Sequence, residues 1–466
     1  MIYEEALRYI HSRKRTSGVP TLERMELLCR YLGDPQKKLK FVHIAGTNGK
    51  GSTAAMLSSV LMCAGYKTGR YVSPYIIDFC ERICVDGEMI ARDTLARLTA
   101  DVSKAIRKIN YDIKKVLSGK ENTNKIPRRF LVDGERFAPV EFEVVTAIAF
   151  LYFLECACDI VVLECGLGGE FDATNVIPAP KVAVITSISL DHTELLGDTI
   201  NKIAKTKCKI IKKGTSTVVS YPQPYKAASK VIERACEKML ASYVVPKDYT
   251  IETVSTSLGG LTFKYERKEY VSSLSASYQA YNASVVIEAA RALSRDGFDI
   301  AEEDISNGLS KVSFPARFEA LSVSPDIVLD GAHNEDGVRV LAGSVAKILH
   351  GGKLNIVIGM LKDKNPKLAI AAFKSELEKH APSVKYGRIV ALTPNNPRAL
   401  DASELALILE DVFGDGAKSI RAYKSCDRGL ISAIKETDNK DVLLCFGSLY
   451  MAAEIREKIH GVMLTL

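Results

Sequence analysis

A glycine-rich turn between a strand-like and a helix-like segment most constrains how this chain can fold. Residues 41–45 are mostly apolar, residues 46–52 read Gly-Thr-Asn-Gly-Lys-Gly-Ser, and a run of small and apolar residues follows to residue 64. Glycines let backbone N–H groups point toward an anion, and the positive end of the helix dipole favours it. The pattern therefore predicts a phosphate-binding loop in which Lys50 lies against the outer phosphates.

The spacing of this loop differs from the generic one. Only two residues separate Gly46 from the Gly49-Lys50 pair, and Gly51 occupies the usual Ser/Thr position. A plain glycine turn before a helix is the alternative, but the strand, helix and lysine all favour phosphate binding. The predicted nucleotide contacts in this loop are Asn48, Gly49, Lys50, Gly51 and Ser52.

Strand-like and helix-like segments alternate from about residue 39 to the end of the chain. This alternation predicts an α/β protein with parallel sheets and crossover helices. Strands are expected at residues 39–45, 159–163, 182–185, 326–329, 354–358, 388–392, 419–422 and 442–446. Alternating residues over 250–274 predict a small antiparallel meander.

The predicted domain organisation has one boundary near residue 313. Residues 1–312 are expected to form a P-loop parallel-sheet ATPase domain that includes the meander. Residues 313–466 are expected to form a smaller Rossmann-like α/β domain. The polar, basic stretch 108–139 is interpreted as an insertion.

Composition excludes several classes of function. The chain has 63 basic and 56 acidic residues, a net charge of +7, and eleven cysteines without a Cys-x-x-Cys motif. The mild positive charge suits small anions and does not demand nucleic acid. The scattered cysteines favour a reducing compartment, and the apolar runs are too short for a membrane span. We expect a cytoplasmic, monomeric enzyme with neither nucleic acid nor membrane as a partner.

Several short motifs recur along the chain in a family-specific order. The chain resembles the Mur-ligase superfamily and, within it, folylpolyglutamate synthase and dihydrofolate synthase, from about residue 3 to 451. The motifs are Ala45 to Ser52, Ser73-Pro74, Glu81-Arg82-Ile83, Phe142-Glu143, Leu163 to Gly169, Asp172 to Asn175, Leu190 to His192, Pro315 to Glu319, Asp330 to Asn334, and Phe446 to Ser448.

The resemblance implies an ATP-dependent ligase that adds L-glutamate to dihydropteroate, to folate or to both. A carboxylate acquires a leaving group by attacking the γ-phosphate, and the glutamate amine then attacks the resulting acyl-phosphate, so ADP and phosphate are released. Catalysis of this kind rests on positioning and charge neutralisation. The site should therefore hold phosphate-binding amides, a lysine, magnesium ligands and an arginine.

Glu164 and His192 are the best candidates for metal ligands. Each follows a predicted buried strand, where open α/β sheets place their ligands. The resemblance assigns one or two magnesium ions to these residues together with Ser73, and counts His192 among the catalytic residues. A helix cap or salt bridge is the alternative for Glu164, and a core position for His192; imidazole is also a less usual magnesium ligand than oxygen.

Lys207, fifteen residues after His192, matches a lysine that relatives often carbamylate. Its neighbours Thr206, Cys208 and Lys209 depart from the family's Glu-Lys-Ala-Gly. A carbamylated catalytic lysine and a solvated helix lysine both remain open.

The resemblance places further nucleotide contacts at Asn282, Arg317, Asp330 and His333. Arg317 follows the helix that ends near residue 311, and its guanidinium suits the stabilisation of charge on the γ-phosphate.

The acceptor site implied by the resemblance comprises Phe142, Glu143, Phe171, Asp172 and Ala173. Phe142 offers an aromatic face, although it also fits the core side of a helix. The carboxylates Glu143 and Asp172 can accept hydrogen bonds from pterin N–H groups.

Two tyrosines stand where the family usually has histidine, Tyr75 and Tyr278. They leave the acceptor preference open.

The alternatives to a folate ligase are a cell-wall amino-acid ligase and a P-loop ATPase without ligase activity. The phosphate-loop unit begins near residue 1 without a UDP-binding domain before it, and a second α/β domain follows, so the folate ligase is favoured.

Overall fold

The computed structural model describes residues 1–14, 21–120, 126–132 and 136–464. It contains two compact units, each assembled from separate chain segments. The first unit comprises residues 1–75, 79–246 and 285–308, and the second comprises residues 76–78, 247–284 and 309–466. The division of the chain into domains near residue 313 stays a prediction.

The first unit is built on an eight-stranded sheet with the order β4-β3-β2-β5-β1-β6-β7-β8. Its strands are β1 Phe41–Ala45, β2 Thr68–Tyr71, β3 Ile83–Val85, β4 Glu88–Met89, β5 Ile160–Glu164, β6 Val182–Ile185, β7 Thr217–Ser220 and β8 Ser242–Val244. Strand β1 pairs in parallel with β5 and β6 and is buried along its whole length. Parallel strands covered on both faces read as continuous apolar runs, which is why the sequence revealed these three.

The helices in this part of the chain are α1 Tyr3–His11, α2 Glu23–Tyr31, α3 Lys50–Cys63, α4 Arg92–Leu117, α5 Arg129–Val132, α6 Glu141–Glu155, α7 Thr193–Leu196, α8 Ile200–Lys207, α9 Lys226–Met239, α10 Gln279–Arg295 and α11 Glu302–Lys311. Residues 279–284 of α10 and 309–311 of α11 belong to the second unit. None of the helices in the described part of the chain has both the length and the hydropathy of a bilayer-spanning segment.

The prediction of an insertion over residues 108–139 was wrong for residues 108–117. Residues 108–117 continue α4, where Ile106, Ile109 and Ile113 are buried at helical spacing. Asn110 on this helix exchanges two hydrogen bonds of 3.0 Å with the backbone of Phe137. The apolar stripe therefore outweighs the polar composition; residues 121–125 and 133–135 lie outside the described residues.

The predicted meander is confirmed. Strands β9 Ile251–Ser257, β10 Gly260–Tyr265 and β11 Lys268–Ser272 form a three-stranded antiparallel sheet. It belongs to the second compact unit, where Leu258 packs against the main apolar core.

The second unit contains a six-stranded sheet with the order β12-β13-β17-β14-β15-β16. Its strands are β12 Glu319–Val323, β13 Asp326–Leu329, β14 Lys353–Ile358, β15 Lys385–Leu392, β16 Ala417–Tyr423 and β17 Val442–Phe446. Its helices are α12 Glu335–Ala346, α13 Pro366–His380, α14 Ala402–Phe413, α15 Cys426–Ile434 and α16 Leu449–Leu464. All pairs are parallel except β12 with β13, and β12 was not predicted.

Successive residues of these strands enter cores on opposite faces of the sheet. Val328 and Ile356 belong to one apolar cluster, whereas Ile327 and Val357 belong to another. Helices on both faces of a parallel sheet make a doubly wound unit, so the predicted Rossmann-like fold is confirmed.

Candidate active site

The phosphate loop joins the end of β1 to the start of α3. Gly49 adopts a left-handed φ of 87°, which glycine reaches without steric cost. A Cβ atom on Gly46 would lie 1.8 Å from Thr186 Oγ1, so only glycine permits this close approach of β1 to the end of β6. Gly49 is therefore favoured by its backbone conformation, and Gly46 by the close approach of the Thr186 side chain.

The segment after β6 holds the loop in place. The backbone N–H groups of Thr47 and Asn48 donate to the Ser187 carbonyl at 2.8 and 3.2 Å. The Thr47 hydroxyl donates to the Ser189 carbonyl at 3.2 Å and accepts from its N–H at 3.1 Å, while Asn48 Nδ2 donates to Ser189 Oγ at 3.4 Å. Sequence reasoning missed Thr47 and Ser189, since no motif marks a bond across 142 residues.

Two lysines converge on the carbonyls of this loop. Lys50 Nζ donates to Thr47 O at 3.0 Å, and Lys207 Nζ donates to Gly46 O at 2.6 Å. Lys207 is buried, so the alternative of a solvated helix lysine was wrong. Burial, with the nearby positive charge of Lys50, lowers the pKa of Lys207 to about 7.

A depression of about 310 Å³, partly open to solvent, lies beside the loop. Its wall includes Thr47, Lys50, Cys165, Asp191, His192 and Lys207. Three predicted site residues that are far apart in sequence thus line one concave surface with positive character, which suits a phosphate group.

Glu164 ends β5 at the edge of this region and is buried. Its Oε2 accepts a 3.2 Å hydrogen bond from the N–H of Ser73, so these two predicted metal ligands are neighbours. His192 has a left-handed φ of 49° and its side chain is 38 % exposed, so the alternative of a core histidine was wrong. Asp191 Oδ1 accepts from the His192 N–H at 2.9 Å.

The donor types in this region fit magnesium. Among the described residues, no three His, Cys, Asp or Glu side chains converge as a metal cluster. Magnesium in phosphoryl-transfer sites takes one or two carboxylates and completes its shell with phosphates and water. The carboxylate of Glu164 and the hydroxyl of adjacent Ser73 match that requirement.

The predicted acceptor residue Phe142 lies at the start of α6. Its ring centroid is 5.8 Å from that of Tyr71, and a Cβ on Gly166 would come within 2.6 Å of its Cζ. Phe142 is only partly buried, so part of the ring stays accessible.

Glu143 has partners that the sequence did not indicate. Arg24 donates to both carboxylate oxygens, from Nε at 3.1 Å and from Nη2 at 3.0 Å. The N–H of Val140 donates to Oε2 at 2.9 Å, so Glu143 also caps α6. Arg24 lies 119 residues earlier and carries no recognisable motif.

Asp172 is buried and holds its own loop together. Oδ2 accepts from the Leu167 N–H at 2.8 Å, and Oδ1 accepts from the N–H and hydroxyl of Thr174 at 3.0 and 2.5 Å. Burial raises the pKa of Asp172, and these hydrogen bonds oppose that rise. Of its neighbours, Phe171 is 51 % exposed and Ala173 is buried.

His43 is a buried neighbour of this network. Its Nε2 lies 2.9 Å from Thr174 Oγ1 and 3.1 Å from Cys165 Sγ. Burial lowers the pKa of His43 to about 3, so the ring is neutral at physiological pH.

Asp330 is the centre of the predicted residues in the second unit. Its Oδ2 accepts from the Tyr278 hydroxyl at 3.0 Å and the Phe318 N–H at 2.8 Å, and Oδ1 accepts from the Ala332 N–H at 2.7 Å. Burial raises the pKa of Asp330, while the positive charge of Arg317 opposes the rise. Tyr278 thus supports Asp330, a role that the sequence did not reveal.

The backbone around Arg317 is held from both sides. Ala316 and Phe318 have left-handed φ values of 54° and 53°, which are unfavourable for residues with a side chain. Glu319 Oε2 accepts from the Ala316 N–H at 2.8 Å, and Arg456 Nε donates to Glu319 Oε1 at 2.9 Å. Together with the Asp330 bond to Phe318, these contacts hold the backbone on both sides of Arg317.

The other two predicted contacts of this unit lie at helix starts. His333 Nδ1 is 2.8 Å from the Gly331 carbonyl, just before α12. Asn282, in the first turns of α10, donates to Gln279 Oε1 at 2.8 Å.

The chain is similar to two known domain families and to a known bacterial protein. Residues 142–290 match the Mur ligase middle domain, and residues 316–449 match the Mur ligase glutamate ligase domain. The chain is 34 % identical to dihydrofolate synthase/folylpolyglutamate synthase of Bacillus subtilis, over 98 % of this chain and 99 % of that one. The chain belongs to the folylpolyglutamate synthase/dihydrofolate synthase family. The resemblance found in the sequence motifs is thereby confirmed.

Solved structures of this family share the fold. Folylpolyglutamate synthase of Mycobacterium tuberculosis complexed with ADP superimposes with a TM-score of 0.80 at 27 % identity, covering 98 % of this chain and 97 % of that one. Escherichia coli FolC in complex with DHPP and ADP gives a TM-score of 0.78 at 26 % identity, covering 99 % and 98 %.

Proposed function

We propose that this family member is an ATP-dependent ligase that joins L-glutamate to dihydropteroate, to folate polyglutamates or to both. The observation that carries the proposal is the depression beside the phosphate loop, where Lys50, His192 and Lys207 meet. Relatives solved with ADP have the same fold over almost the whole chain.

In this reaction an oxygen of the acceptor carboxylate attacks the γ-phosphorus of ATP, and the bond to the β–γ bridging oxygen breaks. Lys50 and the amides of Gly49, Gly51 and Ser52 hold the phosphates, and Asn48 orients the loop. Arg317 stabilises the charge of the transferring group. The deprotonated glutamate amine then attacks the acyl carbon, phosphate leaves with the electron pair of the broken bond, and the nitrogen releases one proton to give the amide.

Ser73, Glu164 and His192 would hold magnesium, which would neutralise phosphate charge. In the second unit, Asn282, Asp330 and His333 are proposed nucleotide contacts. Asp330 also holds the backbone beside Arg317 through its bond to Phe318.

Lys207 is proposed to be carbamylated. A neutral amine adds CO₂ and releases a proton, which converts the lysine into an anion. The pKa of about 7 leaves a substantial neutral fraction at physiological pH. The product would replace one of two adjacent positive charges by a negative one, beside the proposed magnesium ligands.

The acceptor is proposed to lie along Phe142 and Phe171, whose apolar surfaces suit a pterin and its aminobenzoyl ring, beside the segment that contains the buried Ala173. Asp172 and Glu143 border this surface. Because Oε2 of Glu143 already accepts from Arg24 and from the Val140 N–H, and Oε1 accepts from Arg24, Oε1 is the oxygen that keeps a lone pair for the pterin.

Residues 1–312 are proposed as the ATP- and pterin-binding domain and residues 313–466 as the glutamate-ligase domain. The protein is proposed to act as a cytoplasmic monomer, with ATP, L-glutamate and the folate acceptor as its partners.

The decisive experiment supplies ATP and labelled glutamate with dihydropteroate or with tetrahydrofolate. Incorporation of label into either acceptor, with phosphate release that depends on both co-substrates, supports the proposal. Phosphate release that needs neither would identify a bare ATPase. Incorporation only into a UDP-sugar peptide would identify a cell-wall ligase.

A further inference from the structure

Arg82 is a buried arginine that has no anionic partner among the residues that the structure describes. It ends the short 3-10 turn Phe79–Arg82 before β3 and is 9 % exposed. Its guanidinium carbon lies 5.5 Å from the ring centroid of Tyr75 and 5.2 Å from that of Phe79. Within the described residues, its buried Nε has no hydrogen-bond partner, and no ion pair of Arg82 is present.

A buried charge is costly unless it is paired. Arg24, in the same unit, illustrates the usual solution, because its Nε and Nη2 both bind the carboxylate of Glu143. The faces of two aromatic rings offset only part of the cost for Arg82. An anion that comes from outside the chain would complete the pairing.

The position of Arg82 indicates which kind of anion would pair with it. Its carbonyl accepts from the Val72 N–H at 3.0 Å, and the next residue, Ser73, donates from its own N–H to Glu164. Opposite Ile83 in the β2–β3 pairing lies Tyr71, whose ring contacts Phe142. Arg82 therefore lies where the proposed magnesium ligands and the proposed acceptor surface adjoin.

We propose that Arg82 binds a carboxylate of the folate-type acceptor. The two rings lie against the guanidinium carbon, and the edge of a guanidinium can make the paired hydrogen bonds that a carboxylate accepts. This inference rests on the proposed function. Two carboxylates share this chemistry: the one that reacts, present in every acceptor, and the α-carboxylate of a terminal glutamate, present in folates and absent from dihydropteroate.

The test compares Arg82→Met and Arg82→Lys with the wild-type protein. Acceptor KM, ATP KM and kcat are measured in the ligation assay, and acceptor affinity without turnover is measured by fluorescence titration. The ligands are dihydropteroate, tetrahydrofolate and a pterin–aniline analogue that lacks any carboxylate. Arg92→Met is the matched control, because Arg92 also lies over a ring, that of Tyr3 at 4.9 Å, but is exposed.

For Arg82→Met we expect acceptor binding to weaken about 10- to 100-fold, as for the loss of a charged hydrogen-bond pair. The acceptor affinity of Arg82→Lys should lie between those of Arg82→Met and the wild-type protein. The ATP KM and the affinity for the carboxylate-free analogue should stay unchanged. Weakening for both acceptors identifies the reacting carboxylate. Weakening for tetrahydrofolate alone identifies the α-carboxylate.

Unchanged acceptor affinity in a folded Arg82 variant overturns the inference, and so does an equal loss for the carboxylate-free analogue. If the variants do not fold, wild-type protein is titrated with dihydropteroate and tetrahydrofolate whose carboxylates are converted to amides; retained affinity for both amides again overturns it. A wild-type protein that ligates glutamate to neither acceptor would instead refute the proposed function.

Discussion

The side-chain nitrogen of Lys207 donates a 2.6 Å hydrogen bond to the carbonyl of Gly46, the first residue of the phosphate loop. This bond links the end of α8 to a loop 161 residues earlier. It also brings a second buried positive charge toward Lys50, which contributes to the lowered pKa of Lys207. The pair therefore connects the chemistry of Lys207 to phosphate binding.

Replacement of Lys207 by Arg should lower kcat about 10- to 100-fold, the range found when a group supporting a metal site is lost. Arginine keeps the positive charge but is not carbamylated. Wild-type activity should rise with pH through about 7, because deprotonation of Lys207 precedes carbamylation. A carbamate signal from ¹³C-bicarbonate in the NMR spectrum should vanish in the variant. Exposed Lys205→Arg is the control; equal rates for Lys207→Arg and wild type would contradict the carbamate.

Lys50→Ala and Glu164→Ala should each abolish measurable ligation. Removing one preorganised charge from a phosphoryl-transfer site costs about 10²- to 10³-fold in kcat, and the loss of a carboxylate ligand adds weakened magnesium binding. Ligation rates and circular dichroism spectra should show inactive, folded proteins. The exposed Lys67→Ala serves as the reference, and ligation at the wild-type rate by either site variant would refute the assigned role.

Arg317→Ala should slow phosphoryl transfer about 10³-fold while changing ATP affinity little, because the guanidinium acts mainly on the transferring group. Single-turnover rates and equilibrium ATP binding separate the two effects. Arg456→Met, which frees Glu319 from its ion pair, should cause a smaller loss in the same rate. A change confined to ATP affinity would show that Arg317 binds the ground state alone.

His43→Gln should make the stability of the first unit less dependent on pH. In the unfolded chain the pKa of His43 is near 6.5, whereas burial lowers it to about 3 in the folded protein. The unfolded state therefore binds a proton first as the pH falls below 6.5, and stability is lost down to about pH 3. At pH 5 this effect amounts to about 2 kcal/mol.

Urea unfolding of wild type and variant at pH 7.5 and pH 5 measures this difference. The exposed His350→Gln should keep the wild-type dependence. If wild type and His43→Gln lost the same unfolding free energy on acidification, the lowered pKa of His43 would be contradicted.

Much of the architecture follows from local sequence. The buried runs that became β6, β13 and β17 were predicted at the observed bounds, because a strand covered on both faces needs an unbroken apolar segment. The phosphate loop was equally visible, since a left-handed residue such as Gly49 and a helix starting at Lys50 are requirements of the local backbone. Local composition misled at residues 108–117, where a polar surface hides the apolar stripe of α4.

Only the tertiary structure decided which groups meet. The pairing of Arg24 with Glu143, the support of Asp330 by Tyr278 and the bond from Lys207 to Gly46 depend on contacts between distant segments. The pKa values of Lys207 and His43 depend on burial, which a sequence does not display residue by residue. Sequence by itself determined the family, the alternation of strands and helices and the phosphate loop, because these rest on local backbone requirements and motifs. The partners and charge states of the site residues were decided by packing.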